Sequence, residues 1–306
     1  MLGGNGVITL QNQLNSEENK KHYRYLLIDM LGTTSELSKL YAQRLKQLLP
    51  KKDIAVVKRP SLSHQLFTCP HLVCIGQPDQ NVNTELLLSS IIQVNEDFLA
   101  AKPYVCGWLV APQTIDEIAQ RIVKIGLMLG ELCNMSFAPF YEPFRMQLLQ
   151  DSHPTTPDWI NVFLPDNLTY YYIDIQQKLR TIKPAKNKQL LPSSLPPKIT
   201  FCQKESVNLF RLYVNWYDIK EEIDDEVSEK DLMALVEHYY TAVNTFSLTD
   251  IKDRTVYTYY SMQYGELLKD EEIVTVINDV AVHSPGTLSE RFLAIHTHFQ
   301  MLLNKK

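Results

Sequence analysis

Three places in the chain combine side chains that do chemistry elsewhere. Cys69-Pro70-His71 sets a thiol two residues from an imidazole. In an extended strand both would lie on one face, the arrangement a cysteine nucleophile and its base require. The stretch is also an apolar run entering a strand, CPHLVCIG (69–76), so a buried structural thiol accounts for it as well. Asp29 closes the apolar run HYRYLLID (22–29). An acid at a strand end can be catalytic, and it can equally fasten the turn that follows. Asp29, His71 and Cys69 are therefore the candidates if the chain is an α/β hydrolase or transferase. His296-Thr297-His298 invites a metal check, but neighbours two apart on a helix point about 200° from each other and do not chelate one ion.

The motifs that carry phosphate or acyl chemistry are missing. There is no Walker A loop, no G-x-G-x-x-G after a strand, no G-x-S-x-G elbow and no H-E-x-x-H. The five cysteines are odd in number and irregularly spaced, and most sit in apolar runs, as reduced thiols of a cytoplasmic protein do. We expect no cofactor and no metal. The opening residues lack a charged segment followed by an apolar one, so no signal peptide is expected. No window holds 18 consecutive apolar residues, so no membrane span is expected either.

The elements that would position these side chains follow from hydrophobic period. Residues 1–21 are polar and glycine-rich and predict a frayed start or short arm. Strands are predicted at 22–31, 53–60, 69–76 and 104–111. Thr33-Thr34-Ser35-Glu36 has the form of a capping box and predicts a helix reaching Leu49. A second helix is predicted over 84–99. CGWLVAPQTIDEIAQRIVKIGLMLG (106–130) joins a strand to a helix capped by Thr114 and Glu117, with Ile115, Ile118, Ala119, Ile122 and Val123 on one stripe and Gly130 as its stop. Residues 134–150 predict an edge strand broken by prolines and then a short helix. Residues 159–176 predict one or two strands. Alternating strands and helices imply an α/β lobe with a mostly parallel or mixed sheet and flanking helices.

Residues 183–198, KPAKNKQLLPSSLPPK, hold four prolines and four lysines without periodicity and predict a linker or long loop. Beyond it the chain predicts helices at 204–218, 228–246, 249–264, 270–282 and 287–303. The organisation is an α/β domain at 22–182, a linker at 183–203 and an all-helical lobe at 204–306. Charge changes at about the same place. Residues 1–190 carry 19 Lys+Arg and 17 Asp+Glu, a net of +2; residues 191–306 carry 11 and 18, a net of −7. An acidic surface repels phosphate, so no nucleic-acid partner is expected.

Tyrosine stands out: Tyr170-Tyr171-Tyr172 in a strand, then Tyr239-Tyr240, Tyr257, Tyr259-Tyr260 and Tyr264 on consecutive helices. Its large ring and polar tip suit protein interfaces. Neighbours on a helix point about 100° apart, so one of each pair can be core and the other surface.

The order of short elements resembles the adaptor and effector-chaperone family of the bacterial type VI secretion system. The elements are a strand ending Leu27-Ile28-Asp29, then Cys69-Pro70-His71-Leu72-Val73, then Gly107-Trp108-Leu109-Val110 before the helix at 114–129. Phe140-Tyr141-Glu142-Pro143-Phe144-Arg145 is similar to the family's Phe-Tyr-Asp-Pro-Arg element, with Glu142 in place of Asp and Phe144 between Pro143 and Arg145. A strand with Trp159 and a helical tail with Tyr264-Gly265 follow, the strongest stretch being roughly 22–165. The resemblance implies a non-catalytic cytoplasmic protein that binds a toxin effector near its N-terminal region and helps load it onto the spike protein. It implies a protein-binding groove between the lobes, built from Phe140, Tyr141, Arg145, Tyr170, Tyr171, Tyr172, Tyr239, Tyr240 and Tyr260. Arg145 would pair with an acid of the partner or within the chain.

Overall fold

The computed structural model describes residues 4–152, 164, 167–184, 193–265, 270–295 and 299. Contacts divide the chain into two units, residues 1–206 and 207–306.

The first unit is built on a six-stranded sheet: β1 (Tyr23–Ile28), β2 (Ile54–Val56), β3 (His71–Gly76), β4 (Val105–Ala111), β5 (Thr169–Ile173) and β6 (Leu179–Ile182), in the order β2-β3-β1-β4-β5-β6. Every paired neighbour is antiparallel. The α/β fold class stands, but the sheet is not mixed. β3 and β4 both run against β1 and therefore run the same way as each other. They are joined by the helix α3 (Thr84–Glu96), a parallel crossover as expected. β1 inserts between them, so the crossover never becomes a parallel ladder; this is a split β-α-β arrangement.

Helices cover both faces, which is why β3 and β4 are buried end to end and read as unbroken apolar runs. Tyr25, Leu27, Leu72 and Leu109 face α4 (Ile115–Leu132) and α5 (Pro143–Asp151). Leu26, Ile28, Val73 and Trp108 face α3, α1 (Gly4–Leu14) and α2 (Ala42–Leu48). α1 replaces the predicted arm: Leu10 and Leu14, one helical turn apart, are fully buried against the sheet. Arg24 secures this start. It is itself fully buried, and its guanidinium donates to the carbonyls of Lys20, His22, Gln77 and Gln80.

α4 carries the predicted stripe and capping box, the Thr114 N–H donating to Glu117 at 2.8 Å. It does not stop at Gly130. Gly126 and Gly130 lie inside it, and residues 135–138 fold back across them, Met135 N donating to the Gly130 carbonyl and Ala138 N to that of Gly126. A Cβ on Gly126 would run into the Phe137 ring. These glycines serve close approach, and the predicted edge strand over 134–150 is this return segment followed by α5. The helix predicted from Thr33 begins at Ala42 instead. Its serines are spent on isolated turns, Ser35 Oγ accepting from Leu37 N and Ser38 Oγ from Leu40 N.

α6 (Pro197–Glu222) starts in the first unit and ends in the second. The second unit adds α7 (Asp231–Asn244), α8 (Ile251–Tyr264), α9 (Glu271–His283) and α10 (Leu288–Ala294). Its described elements are all helical, as expected. Buried Asp253 on α8 accepts from Gly286 N at 2.6 Å and Leu288 N at 3.0 Å, capping the start of α10 from another helix. Trp159, residues 185–192 of the 183–198 stretch and His296-Thr297-His298 lie outside the described residues.

Candidate functional site

The segment 140–145 turns the chain into α5. Pro143 occupies the first turn, where its missing N–H costs nothing. Glu142 and Arg145 are one turn apart and meet, Nε to Oε2 at 2.9 Å, both largely buried. The inserted Phe144 sets that spacing. The other Glu142 oxygen is held by Lys102, which reaches in from the surface. Arg145 Nη1 donates to the Gln203 carbonyl at 2.6 Å, and Gln203 Nε2 donates back to the Arg145 carbonyl at 3.2 Å. The pairing of Arg145 is thus within the chain.

Beneath this corner lies a bulge in β4. Leu27 pairs with Gly107 and Ile28 with Val105, leaving Cys106 as the extra residue. The Tyr170 hydroxyl donates at 3.3 Å to the carbonyls of both Cys106 and Tyr141, spanning bulge and corner. Gly107 is required there, because a Cβ would collide with the Tyr171 carbonyl and the Tyr170 ring.

Asp29 sits at the end of β1 on the same side. Its N–H donates to the Tyr104 carbonyl at 2.8 Å, Oδ1 accepts from Leu31 N at 3.0 Å, and Oδ2 has no partner. Burial raises its carboxyl above the ordinary carboxylate range; Glu142 adds to the rise, and Lys102 and Arg59 oppose it. Tyr141 is fully buried, its hydroxyl has no partner, and burial pushes it upward too. Burial, Asp29 and Glu142 together hold the Cys106 thiol well above its usual range, so it stays protonated. Arg59 completes the cluster, its guanidinium 5.3 Å from the Phe137 ring centroid. Sequence reasoning passed over Arg59 and Lys102. The available signal was a cation followed by proline at the end of one strand and the start of another, Arg59-Pro60 and Lys102-Pro103.

The three residues of the enzymatic alternative do not converge. His71 pairs with Ile28 and shares its face; Asp29, the next residue, points to the other. His71 Nδ1 lies 2.9 Å from the Cys69 carbonyl, and burial lowers its pKa, favouring neutral imidazole. Cys69 is fully buried with Sγ 3.6 Å from the Leu62 carbonyl. Among the described residues no three His, Cys, Asp or Glu side chains gather as metal ligands.

The proposed aromatic anchors are mostly core, which corrects the expectation of a binding groove lined by them. Phe140, Tyr141, Tyr170, Tyr171, Tyr172 and Tyr239 are buried, and Arg145 nearly so. Consecutive tyrosines in β5 alternate sides, yet all are covered because both sheet faces carry helices. Tyr170 and Tyr172 join the α4 side and Tyr171 the α3 side, where its hydroxyl accepts from Asn19 Nδ2 at 3.1 Å. Tyr240 and Tyr260 are half-buried; the Tyr260 ring lies 4.8 Å from those of both Phe292 and Phe299. Compared with models of known families, with curated proteins and with solved structures, the chain finds no match.

Proposed function

We propose that the chain is a non-catalytic cytoplasmic adaptor that binds a toxin effector, through the effector's N-terminal region, and delivers it to the spike protein of a type VI secretion machine. The observation that carries this reading is the build of the 140–145 element. In the resembling family this element ends in an acid and an arginine; here Glu142 and Arg145 close a buried ion pair at a helix start and fasten it to Lys102 and to α6. The elements that carry the resemblance, from β1 through β3 and β4–α4 to this corner, form one sheet with its covering helices.

Two further features support it. Asp29, His71 and Cys69 lie on separate sides of the sheet or against backbone, a poor arrangement for the hydrolase or transferase alternative. Among the described residues no helix is long and apolar enough to cross a membrane. The test is capture of partners from native cytosol by the tagged chain, read by mass spectrometry. One dominant toxin or spike protein is the expected result. A chain that captures neither, while turning over a small-molecule substrate in a screen, overturns the reading.

A further inference from the structure

α4 carries two cations that the sequence leaves without an acid. Side chains on a helix meet at spacings of three and four. From Lys124 those positions hold Gln120, Arg121, Leu127 and Met128; from Arg121 they hold Glu117, Ile118, Lys124 and Ile125. Glu117 is the one carboxylate among them, and the capping box takes it. Its Oε2 accepts from the Thr114 hydroxyl at 2.7 Å and from the Thr114 N–H at 2.8 Å. The hydroxyl first and the N–H second hold the Glu117 carboxyl below its usual range. Arg121 and Lys124, both exposed, make no hydrogen bond or ion pair among the described residues. They stand one turn apart, about 5–6 Å between Cβ atoms, and repel each other. The helix gains no stability from holding them so.

A cavity opens between these side chains. Its volume is about 310 Å³, and it is lined by Gln113, Glu117, Ile118, Gln120, Arg121 and Lys124. Gln113 is held in place, because its carbonyl accepts from the Tyr25 hydroxyl at 2.6 Å and so fastens the turn before α4 to β1. Two amides and two cations thus meet beside buried Ile118. Leu127, one turn past Lys124 on the same side of the helix, is 43% exposed, so apolar surface borders the cations.

We propose that this face of α4 is the docking site for an acidic segment of a partner protein, whose glutamate or aspartate enters the cavity beside Arg121 and Lys124 while a neighbouring apolar residue covers Leu127. Two unpaired cations select a carboxylate and reject a basic partner. The arginine fork can receive it through two N–H groups. Gln113 and Gln120 supply amides for the segment's backbone. A chain is the occupant because an exposed ion pair adds at most about fivefold to binding. A free anion would stay in water; the amide and leucine contacts of a segment hold its carboxylate in place. The inference rests on the reading that the chain binds another protein, and it names the surface and the chemistry that would be recognised.

The experiment is an NMR titration of the isotope-labelled full chain with two synthetic peptides that share the same leucines, one bearing glutamates and the other lysines. The glutamate peptide should shift the side-chain signals of Arg121, Gln113 and Gln120, and the lysine peptide should not. Arg121→Gln and Lys124→Gln should each weaken binding about two- to fivefold, and together about tenfold, without lowering the melting temperature. Added salt should weaken binding, and less so in the double variant. Leu127→Gln should weaken it as well, whereas Arg44→Gln, at an exposed position on α2, should leave it unchanged. Shifts from both peptides, no shift, indifference to the α4 substitutions, or glutarate alone binding as tightly as the peptide overturns the proposal. Toxin affinity unchanged by Arg121→Gln with Lys124→Gln overturns the docking site and leaves the adaptor reading in place. A chain that takes the glutamate peptide through Arg121 and Lys124 but captures no toxin upholds the site and overturns the adaptor reading alone.

Discussion

Arg145 and Gln203 hold each other's backbone: the guanidinium donates to the Gln203 carbonyl at 2.6 Å and the Gln203 amide donates to the Arg145 carbonyl at 3.2 Å. With Glu142 on the other side of the guanidinium, Arg145 joins the start of α5 to the start of α6. Its removal leaves a buried carboxylate with only Lys102 as counter-charge. Arg145→Ala should lower unfolding free energy by about 3 kcal/mol, measured by urea denaturation. Arg145→Lys should recover little, because a point charge cannot serve Glu142 and the Gln203 carbonyl in the same fork. A loss within error of zero would mean the corner is not structural.

Asp29 makes a prediction about pH. Its folded pKa is raised, so the native state holds a proton that the unfolded chain releases first. Stability contributed by this group is present at acid pH and falls as pH rises from the ordinary carboxylate range toward the raised folded value. Asp29→Asn keeps an acceptor for Leu31 N–H and removes the ionisation. The variant should melt higher than the parent at pH 8, and the gap should close as pH drops below the ordinary carboxylate range. A gap that widens toward acid would contradict the raised pKa of Asp29.

Gly107, next to the bulge at Cys106, is a test of close approach. Gly107→Ala puts a methyl group against the Tyr171 carbonyl and the Tyr170 ring. It should cost roughly 2 kcal/mol and should broaden the resonances of β4 and β5 in NMR spectra. A neutral substitution would mean that the sheet relaxes there.

Tyr171 separates core from interface. Tyr171→Ala should cost about 3 kcal/mol, and Tyr171→Phe, which loses only the bond to Asn19, about 1 kcal/mol. Partner binding per folded molecule should be unchanged in both. Weakened binding at unchanged melting temperature would return Tyr171 to the surface.

Strands β1 to β5, the α4 stripe with its capping box and the helical character of the second unit follow from local pattern, whereas β6 lies outside the predicted strands. Apolar runs such as VCGWLVA and the Thr114–Glu117 spacing act within a few residues. What did not follow depends on distant chain. The antiparallel sheet arises because β1 inserts between β3 and β4, which no local window records. Gly126 and Gly130 look like helix stops until Phe137 is laid across them. The tyrosines of β5 point to alternate faces of the sheet, and only helices on both faces bury them all. Asp29, Arg59, Lys102 and Glu142 come from four separate segments, and only the fold brings them together.

The central claim is that the chain holds a toxin effector and does no chemistry of its own. The most direct measurement is size exclusion with light scattering on the purified chain mixed with the toxin it captures. The account predicts a joint peak of fixed stoichiometry that persists on dilution and is unchanged by Asp29→Asn, His71→Ala or Cys69→Ala. Separate elution of chain and toxin would contradict it.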